Sequence, residues 1–442
     1  MVCRLRLALS FLLSAGCGSA SHSVVTPAPS AASSTPPQLS AAPVAQEPEA
    51  KALAAEPAAV PAFVTSNSQL QHFQKSLYDL SIGKRKTPSR ILWLGDSHGQ
   101  ADFWSGRVRR LLGDAFGDGG PGFLHLGYKN YRHDDVRFEI EGKWRMRPKK
   151  PVGVKRQADG VFGLGGLMMG GYKDSPRVDL KLGARWRPQA VSFDLCYRLH
   201  DAADRVEVQD LATPNSKPLT LPKGKSETVL HHTWRTNVDW TLQDGVKEPA
   251  LLRVTPFGKA ELCGLVVEAV DEAKPGIVLD TLAINGARYG TMLAWDEAAW
   301  VNEAARREPQ LVILELGTNE AGDLNPPVTK IEKQVSELVA RVRKANPEVD
   351  CLVVSPTDRA DAEEGVAQVR EATRKGAEAA GCAYLDVWTL LGGKGAFSRL
   401  REEQTPKVQK DGIHLTIRGY QELGPPMVEE LLRGFEPVRA KP

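Results

Sequence analysis

A serine in the setting Gly95-Asp96-Ser97-His98-Gly99, directly after the apolar run Ile91-Leu92-Trp93-Leu94, is placed to act as a nucleophile. A short apolar run closing in small residues reads as a buried strand entering a tight turn, and Phe103, Val108, Leu111 and Leu112 supply helical spacing beyond it. Open α/β sheets gather their ligands at the carboxyl ends of strands, where this hydroxyl would stand. An Asp-Ser pair is also a common helix N-cap, so the segment alone fits a purely structural role. The nucleophile needs a base, and Asp411-Gly412-Ile413-His414 offers one before a helical stretch from Tyr420 to Leu432. An Asp that orients a His, and a His that takes the serine proton, are the partners Ser97 requires. By itself Asp-x-x-His is weak, because ordinary surface turns contain it. Two further segments strengthen it. Leu311 to Leu316 runs into Gly317-Thr318-Asn319-Glu320, where the Asn319 amide could donate to a developing oxyanion. Ile277 to Ile284 ends in Asn285-Gly286-Ala287, where Gly286 lets the backbone approach a substrate and offer its N–H.

These four segments, in this order, resemble the SGNH (GDSL-type) hydrolase superfamily. Its blocks supply a nucleophilic Ser, an oxyanion Gly, an oxyanion Asn and an Asp-x-x-His pair, which map onto Ser97, Gly286, Asn319, Asp411 and His414. The likeness covers about residues 88–128 and 276–435. The GDSH form of the first block, Phe103 with Gly106-Arg107, Phe116-Gly117-Asp118 with Gly122-Phe123, and Phe162-Gly163-Leu164-Gly165-Gly166 resemble peptidoglycan O-acetylesterases of that superfamily. So do Ile284-Asn285-Gly286-Ala287 and Gly317-Thr318-Asn319-Glu320. Those enzymes carry a β-rich, carbohydrate-binding-like domain inserted into the hydrolase. One departure stands out: Glu320 follows Asn319 where many members have Asp, so the resemblance assigns Asn319 a role and leaves Glu320 open.

The resemblance implies an α/β fold: a flavodoxin-like three-layer sheet with an inserted all-β sandwich. Residues 63–128 would begin the hydrolase, 129–275 form the insertion, and 276–442 complete the hydrolase. The pattern agrees with an insertion, because Val136–Ile140, Ala190–Cys196, Arg205–Val208 and Leu251–Val254 are alternating or β-branched between Gly, Pro and Asn. Phe63, Leu70, Phe73, Leu77, Leu80 and Ile82 suggest an amphipathic helix beside the first strand. Ahead of that, residues 1–16 read as a signal segment: Arg4 and Arg6 precede Leu7–Leu13, an apolar stretch too short to span a bilayer. Ser14-Ala15-Gly16-Cys17 resembles a bacterial lipoprotein cleavage site, with Cys17 as the lipidated residue. Residues 17–62, rich in Ala, Pro and Ser, read as a disordered tether. The expected location is the bacterial cell envelope, periplasmic or held to a membrane leaflet through that lipid.

An oxidising compartment favours disulfides among the remaining cysteines. Cys351 and Cys382 open strands expected to be neighbours, and Cys196 with Cys263 would be a second pair within the insertion. Buried free thiols are the alternative in each case, and the spacings do not resemble zinc ligands. The net charge of +3 and the lack of a recognition motif argue against nucleic acid as a partner. A basic stretch, Lys143, Arg145, Arg147, Lys149, Lys150, Lys155 and Arg156, could attract an anionic glycan or be a solvated loop. Trp144, Trp186, Trp234 and Trp240 could stack on sugars, although aromatics in a β-sandwich are more often core. His98 reads as capping or packing at the turn, and Asp96 as its organiser. His125, His133, His200, His231 and His232 receive no chemistry.

Three functions fit. The first is a serine esterase removing O-acetyl groups from a cell-wall or other polysaccharide, with no cofactor and no metal. The second is an O-acetyltransferase using the same three residues, and the third a glycan-binding lipoprotein with a vestigial hydrolase domain.

Overall fold

The computed structural model describes residues 67–435, apart from 172–175, 184–185, 214, 226–227 and 241–249. The expected signal segment, Cys17 and the tether lie outside the described residues.

Five parallel strands form the central sheet, in the spatial order Ile277–Thr281, Ser89–Gly95, Leu311–Glu315, Asp350–Val354 and Ala383–Leu385. Within this sheet the first strand in sequence therefore lies second, the flavodoxin-like arrangement, and the order reverses beside it. Every residue of the three strands that follow the first two in this order, bar one in the last, is buried. Strand pleating sends alternate side chains to opposite faces. Leu92, Leu94, Val312, Leu314, Cys351 and Val353 accordingly enter one core, with Val335 and Val339 of helix Val328–Ala345 and Val366 and Val369 of helix Glu363–Ala380. Ile91, Trp93, Leu311, Ile313, Leu352 and Val354 enter the other. There they meet helices Gln71–Ser81, Trp104–Phe116 and Gly424–Leu431 through Phe73, Val108 and Met427. The chain expected to be helical from Tyr420 to Leu432 is instead two helices, Ile417–Glu422 and Gly424–Leu431. Pro425 and Pro426 lack the N–H groups a continuous helix would need there, but they suit a first turn.

Between the first two strands of the chain's parallel sheet lie two antiparallel sheets. One orders Val229–Asn237, Ala190–Arg198, Glu261–Ala269, Met168–Gly171 and Trp144–Arg147, with Gly122–Leu124 also paired to Glu261–Ala269. The other orders Val136–Glu141, Arg177–Leu182, Ala250–Phe257, Arg205–Asp210 and Leu219–Thr220. Leu195, Leu265 and Val267 of the first pack with Val178, Leu180, Val206 and Val254 of the second. The Gly122–Leu124 strand lies on the hydrolase side of the expected boundary at 128/129, yet it pairs with this sheet through Leu124 and Leu265. This strand serves both parts, since Phe123 packs in the core beneath the parallel sheet while the backbone joins the antiparallel ladder.

The two parts share more than a crossing of the chain. Leu265 and Val267 face the sandwich interior, whereas Val266 and Phe123 lie in the hydrolase core with Leu92 and Leu282. A charge network runs along the same seam. Arg307 donates to Asp280 of the parallel sheet at 2.8 Å and to Glu268 at 2.5 Å, and Arg90 also holds Glu268 at 2.8 Å. Asp280 in turn accepts from the Phe123 N–H at 2.8 Å. Cys351 is bonded to Cys382, which stands just before the neighbouring parallel strand, and Cys196 to Cys263 on adjacent antiparallel strands of one sheet of the sandwich.

Candidate active site

The first strand ends at Gly95, and Ser97 opens a short helix, Ser97–Gln100. Asp96 caps that helix by accepting the His98 N–H at 3.0 Å. The capping role and the exposed hydroxyl are thus two properties of one turn: Asp96 holds the backbone while Ser97 stays partly accessible. At the far end of the chain, Gly412 adopts a left-handed φ of 68°, and a Cβ there would meet Ala360 at 2.8 Å. Only glycine fits such a turn without strain. The turn aims Asp411 and His414 the same way.

His414 Nε2 lies 2.8 Å from Ser97 Oγ, and His414 Nδ1 lies 2.7 Å from Asp411 Oδ2. The other Asp411 oxygen accepts the backbone N–H groups of Ile413 and His414, both at 3.0 Å. Partial burial acts to raise the Asp411 pKa, but these hydrogen bonds outweigh it and bring it down to about 2. The carboxylate is therefore ionised across the whole working range of an imidazole base.

Asn319 begins inside helix Thr318–Ala321, which follows the Leu311–Glu315 strand. Its side-chain amide donates to the Ala287 carbonyl at 2.9 Å and leans on Asp96 Oδ2 at 3.4 Å. Asn319 therefore sits between the serine turn and the Ile284–Ala287 turn, whose Gly286 has a φ of 82°. Gln100 joins the same two turns, its side-chain carbonyl accepting the Asn285 N–H while its amide donates to the Asn130 carbonyl at 3.1 Å. The insertion reaches the site as well, because a Cβ on Gly286 would lie 3.5 Å from Val152.

His98 is fully buried, with Nδ1 on the Tyr420 hydroxyl at 2.9 Å and Nε2 on the Thr357 hydroxyl at 3.2 Å. Burial, with His414 close by, lowers its pKa to about 3, so it is a neutral spacer beneath the turn. Sequence patterns did not point to the acid pair behind the serine. Burial raises Asp96 to about 6, and burial with the neighbouring Asp96 charge drives Glu315 well above its ordinary value. Glu315 thus keeps its proton and donates it toward Asp96. A second hidden group is Asp102, fully buried, which accepts from Ser105 at 2.6 Å, Thr281 at 3.1 Å and Arg109 at 2.6 Å.

The other expected residues divide. Trp186 is buried in the sandwich core, Trp234 stacks on Phe193 with centroids 5.0 Å apart, and Trp240 donates to the Pro188 carbonyl. Trp144 is half-buried and lines a cleft with Tyr128. In the basic stretch, Arg147 is paired with Glu261 and Asp159 and Arg156 with Asp296, whereas Lys149 and Lys150 are exposed. His231, given no chemistry from sequence, bridges Asp194 and Glu303 at 3.2 and 3.1 Å. Cys196 lies beside this group, but its sulfur is committed to Cys263.

Residues 250–422 match the GDSL-like lipase/acylhydrolase family. That stretch of the chain is thus similar to a GDSL-type (SGNH) hydrolase domain. The match begins in the last strands of the insertion and includes Asn319, Asp411 and His414, while Ser97 stands upstream of it. Among solved structures, a peptidoglycan O-acetylesterase is similar over 83% of this chain and 96% of its own, with a TM-score of 0.66 and 20% identity. That likeness extends the shared fold across the insertion. A lipase/acylhydrolase from Enterococcus faecalis (17% identity, 37% of this chain, 80% of its own, TM-score 0.29) is also similar. So is an acetyl xylan esterase (16%, 34%, 79%, TM-score 0.29). The curated proteins contain no match to this chain.

Proposed function

We propose that this chain is a secreted or Cys17-anchored serine esterase of the cell envelope that removes O-acetyl groups from a polysaccharide. One observation carries the reading: Ser97, His414 and Asp411 stand in a hydrogen-bonded series at the carboxyl end of a parallel strand. His414 takes the Ser97 proton as Ser97 Oγ bonds to the ester carbonyl carbon. Asp411 fixes the imidazole tautomer and stabilises the imidazolium. The negative oxygen of the tetrahedral adduct is held by the Ser97 and Gly286 N–H groups and by Asn319, whose long contact to Asp96 is the one a stronger acceptor displaces. Such donors are worth roughly 3 kcal/mol each. The sugar alkoxide leaves with the proton from His414, and water, deprotonated by the same ring, releases acetate from Ser97. No step calls for a cofactor or a metal ion.

Acetate release from O-acetylated peptidoglycan and from O-acetylated xylan tests the reading, with Ser97→Ala as the control. The variant should keep its melting temperature and lose nearly all turnover, on the order of 10⁴-fold or more. A variant that hydrolyses at a rate close to the parent removes Ser97 from the chemistry.

A further inference from the structure

Glu320, the residue that departs from the superfamily's usual Asp, is 3% exposed and lines a cleft beside the oxyanion turn. Its Oε1 accepts the Tyr289 N–H at 2.9 Å, while its Oε2 has no hydrogen-bond partner among the described residues. Buried polar atoms are nearly always paired, so a lone one within the wall of a cleft marks a place for a ligand atom. Burial raises this carboxyl to about 7, so near neutral pH Oε2 both accepts and donates.

The cleft has a volume of about 650 Å³, within the range of ligand sites. One wall is the insertion's Lys150–Val154 loop, tied down by the Thr291 hydroxyl on the Val152 carbonyl at 3.2 Å. Arg288, Lys330 and Gln334 of the hydrolase line the other. Arg288 is neutralised by a two-pronged pair with Asp323 at 2.6 and 2.8 Å. Lys150 and Lys330 are exposed and have no acidic partner among the described residues. The mouth of the cleft is therefore positive, and one residue of its wall carries an unpaired polar atom.

We propose, resting on the esterase reading above, that this cleft is the subsite for a carboxylate-bearing acetylated glycan. Lys150 and Lys330 draw the carboxylate, and Glu320 Oε2 pairs with an amide N–H or hydroxyl of the same chain. A neutral polymer would leave the lysines unused. Peptidoglycan stems and uronic acid polymers both carry such a carboxylate, and the test separates them.

The Ser97→Ala protein binds without turnover, so calorimetry on it reads the subsite independently of esterase activity. Its ligands are soluble O-acetylated peptidoglycan fragments, O-acetylated pectin and O-acetylated xylan. At least one carboxylate polymer should bind more tightly than xylan. Adding Lys150→Ala and Lys330→Ala should weaken that binding about tenfold and flatten its salt dependence. Glu320→Gln should weaken it at every salt concentration, whereas Lys375→Ala, at an exposed lysine that does not line the cleft, should change nothing. In the Ser97 enzyme, the double lysine change should appear as a higher KM with kcat little altered. Equal binding of xylan and both carboxylate polymers, or a double lysine variant that binds like its parent, overturns the subsite. Carboxylate-dependent binding without acetate release by the Ser97 enzyme keeps the subsite and overturns the esterase instead.

Discussion

Glu315 sits beneath the serine turn with its carboxyl group in contact range of both Gly95 and Gly99, where an added Cβ would meet Oε2 at 2.4 and 2.8 Å. Because it keeps its proton, its job is that of a neutral donor to Asp96, which in turn holds the His98 N–H and the Asn319 amide. Glu315→Gln retains shape and a donor and should keep kcat within a few-fold. Glu315→Ala leaves Asp96 buried without that donor and should lower kcat by about tenfold or more, since an unmet buried acceptor costs about 1–3 kcal/mol. Steady-state kinetics on an aryl acetate compare the two; equal losses in both variants would mean the donor is irrelevant. Such a role was invisible in the sequence, where Glu315 is one polar residue at the end of a strand. Ser97, Asp411 and His414 were legible because each lies in a short local pattern that announces a turn. Glu315 and Gln100 act through partners that only the folded sheet brings near.

Asp102 shows the same contrast for an element. It follows the Ser97–Gln100 helix with a φ of 51°, and its carboxylate ties Arg109 of the next helix to Thr281 of the neighbouring strand. Burial acts to raise its pKa, but Arg109 outweighs burial and brings it down to about 2. Asn tolerates the same backbone region. Asp102→Asn therefore isolates the charge, and should cost about 3–5 kcal/mol by leaving Arg109 without its closest buried partner. Urea unfolding reads this directly, and a loss below about 1 kcal/mol would show that Asp135, 3.1 Å from Arg109, suffices alone. The parallel strands themselves were plain from their apolar runs, as was the change to alternating periodicity in the insertion. The edge of the insertion was not, because Gly122–Leu124 is too short to show which ladder it joins. Nor did the sequence separate Ile417–Glu422 from Gly424–Leu431, since one apolar stripe continues through Tyr420, Leu423 and Met427.

For the molecule as a whole, the insertion is fastened by ions as well as by apolar packing. His231 and Asp194 belong to the sandwich, while Glu303 and Arg306 lie on the hydrolase helix Glu297–Arg306. Burial acts to lower the His231 pKa, but hydrogen bonds and charge from Asp194 and Glu303 outweigh it and raise the value to about 9. A raised pKa means that the protonated ring stabilises the fold fully below its unfolded value, near 6.5. That contribution shrinks as pH rises and is gone beyond about 9. The melting temperature gap between the parent and His231→Gln should therefore be wide at pH 6 and close by pH 10. A gap that stays constant across this range would show that the ring is neutral in the fold.

The parallel sheet also dictates when catalysis becomes possible in the life of a chain. Ser89–Gly95 is central, yet both strands that flank it, Ile277–Thr281 and Leu311–Glu315, are synthesised after the entire sandwich. The strand carrying the serine must wait at the ribosome with both edges open while the intervening polypeptide emerges, and slow long-range pairing of this kind exposes a nascent chain to aggregation. The imidazole arrives later still, so a product truncated before Asp411 remains chemically silent however well its sandwich has folded.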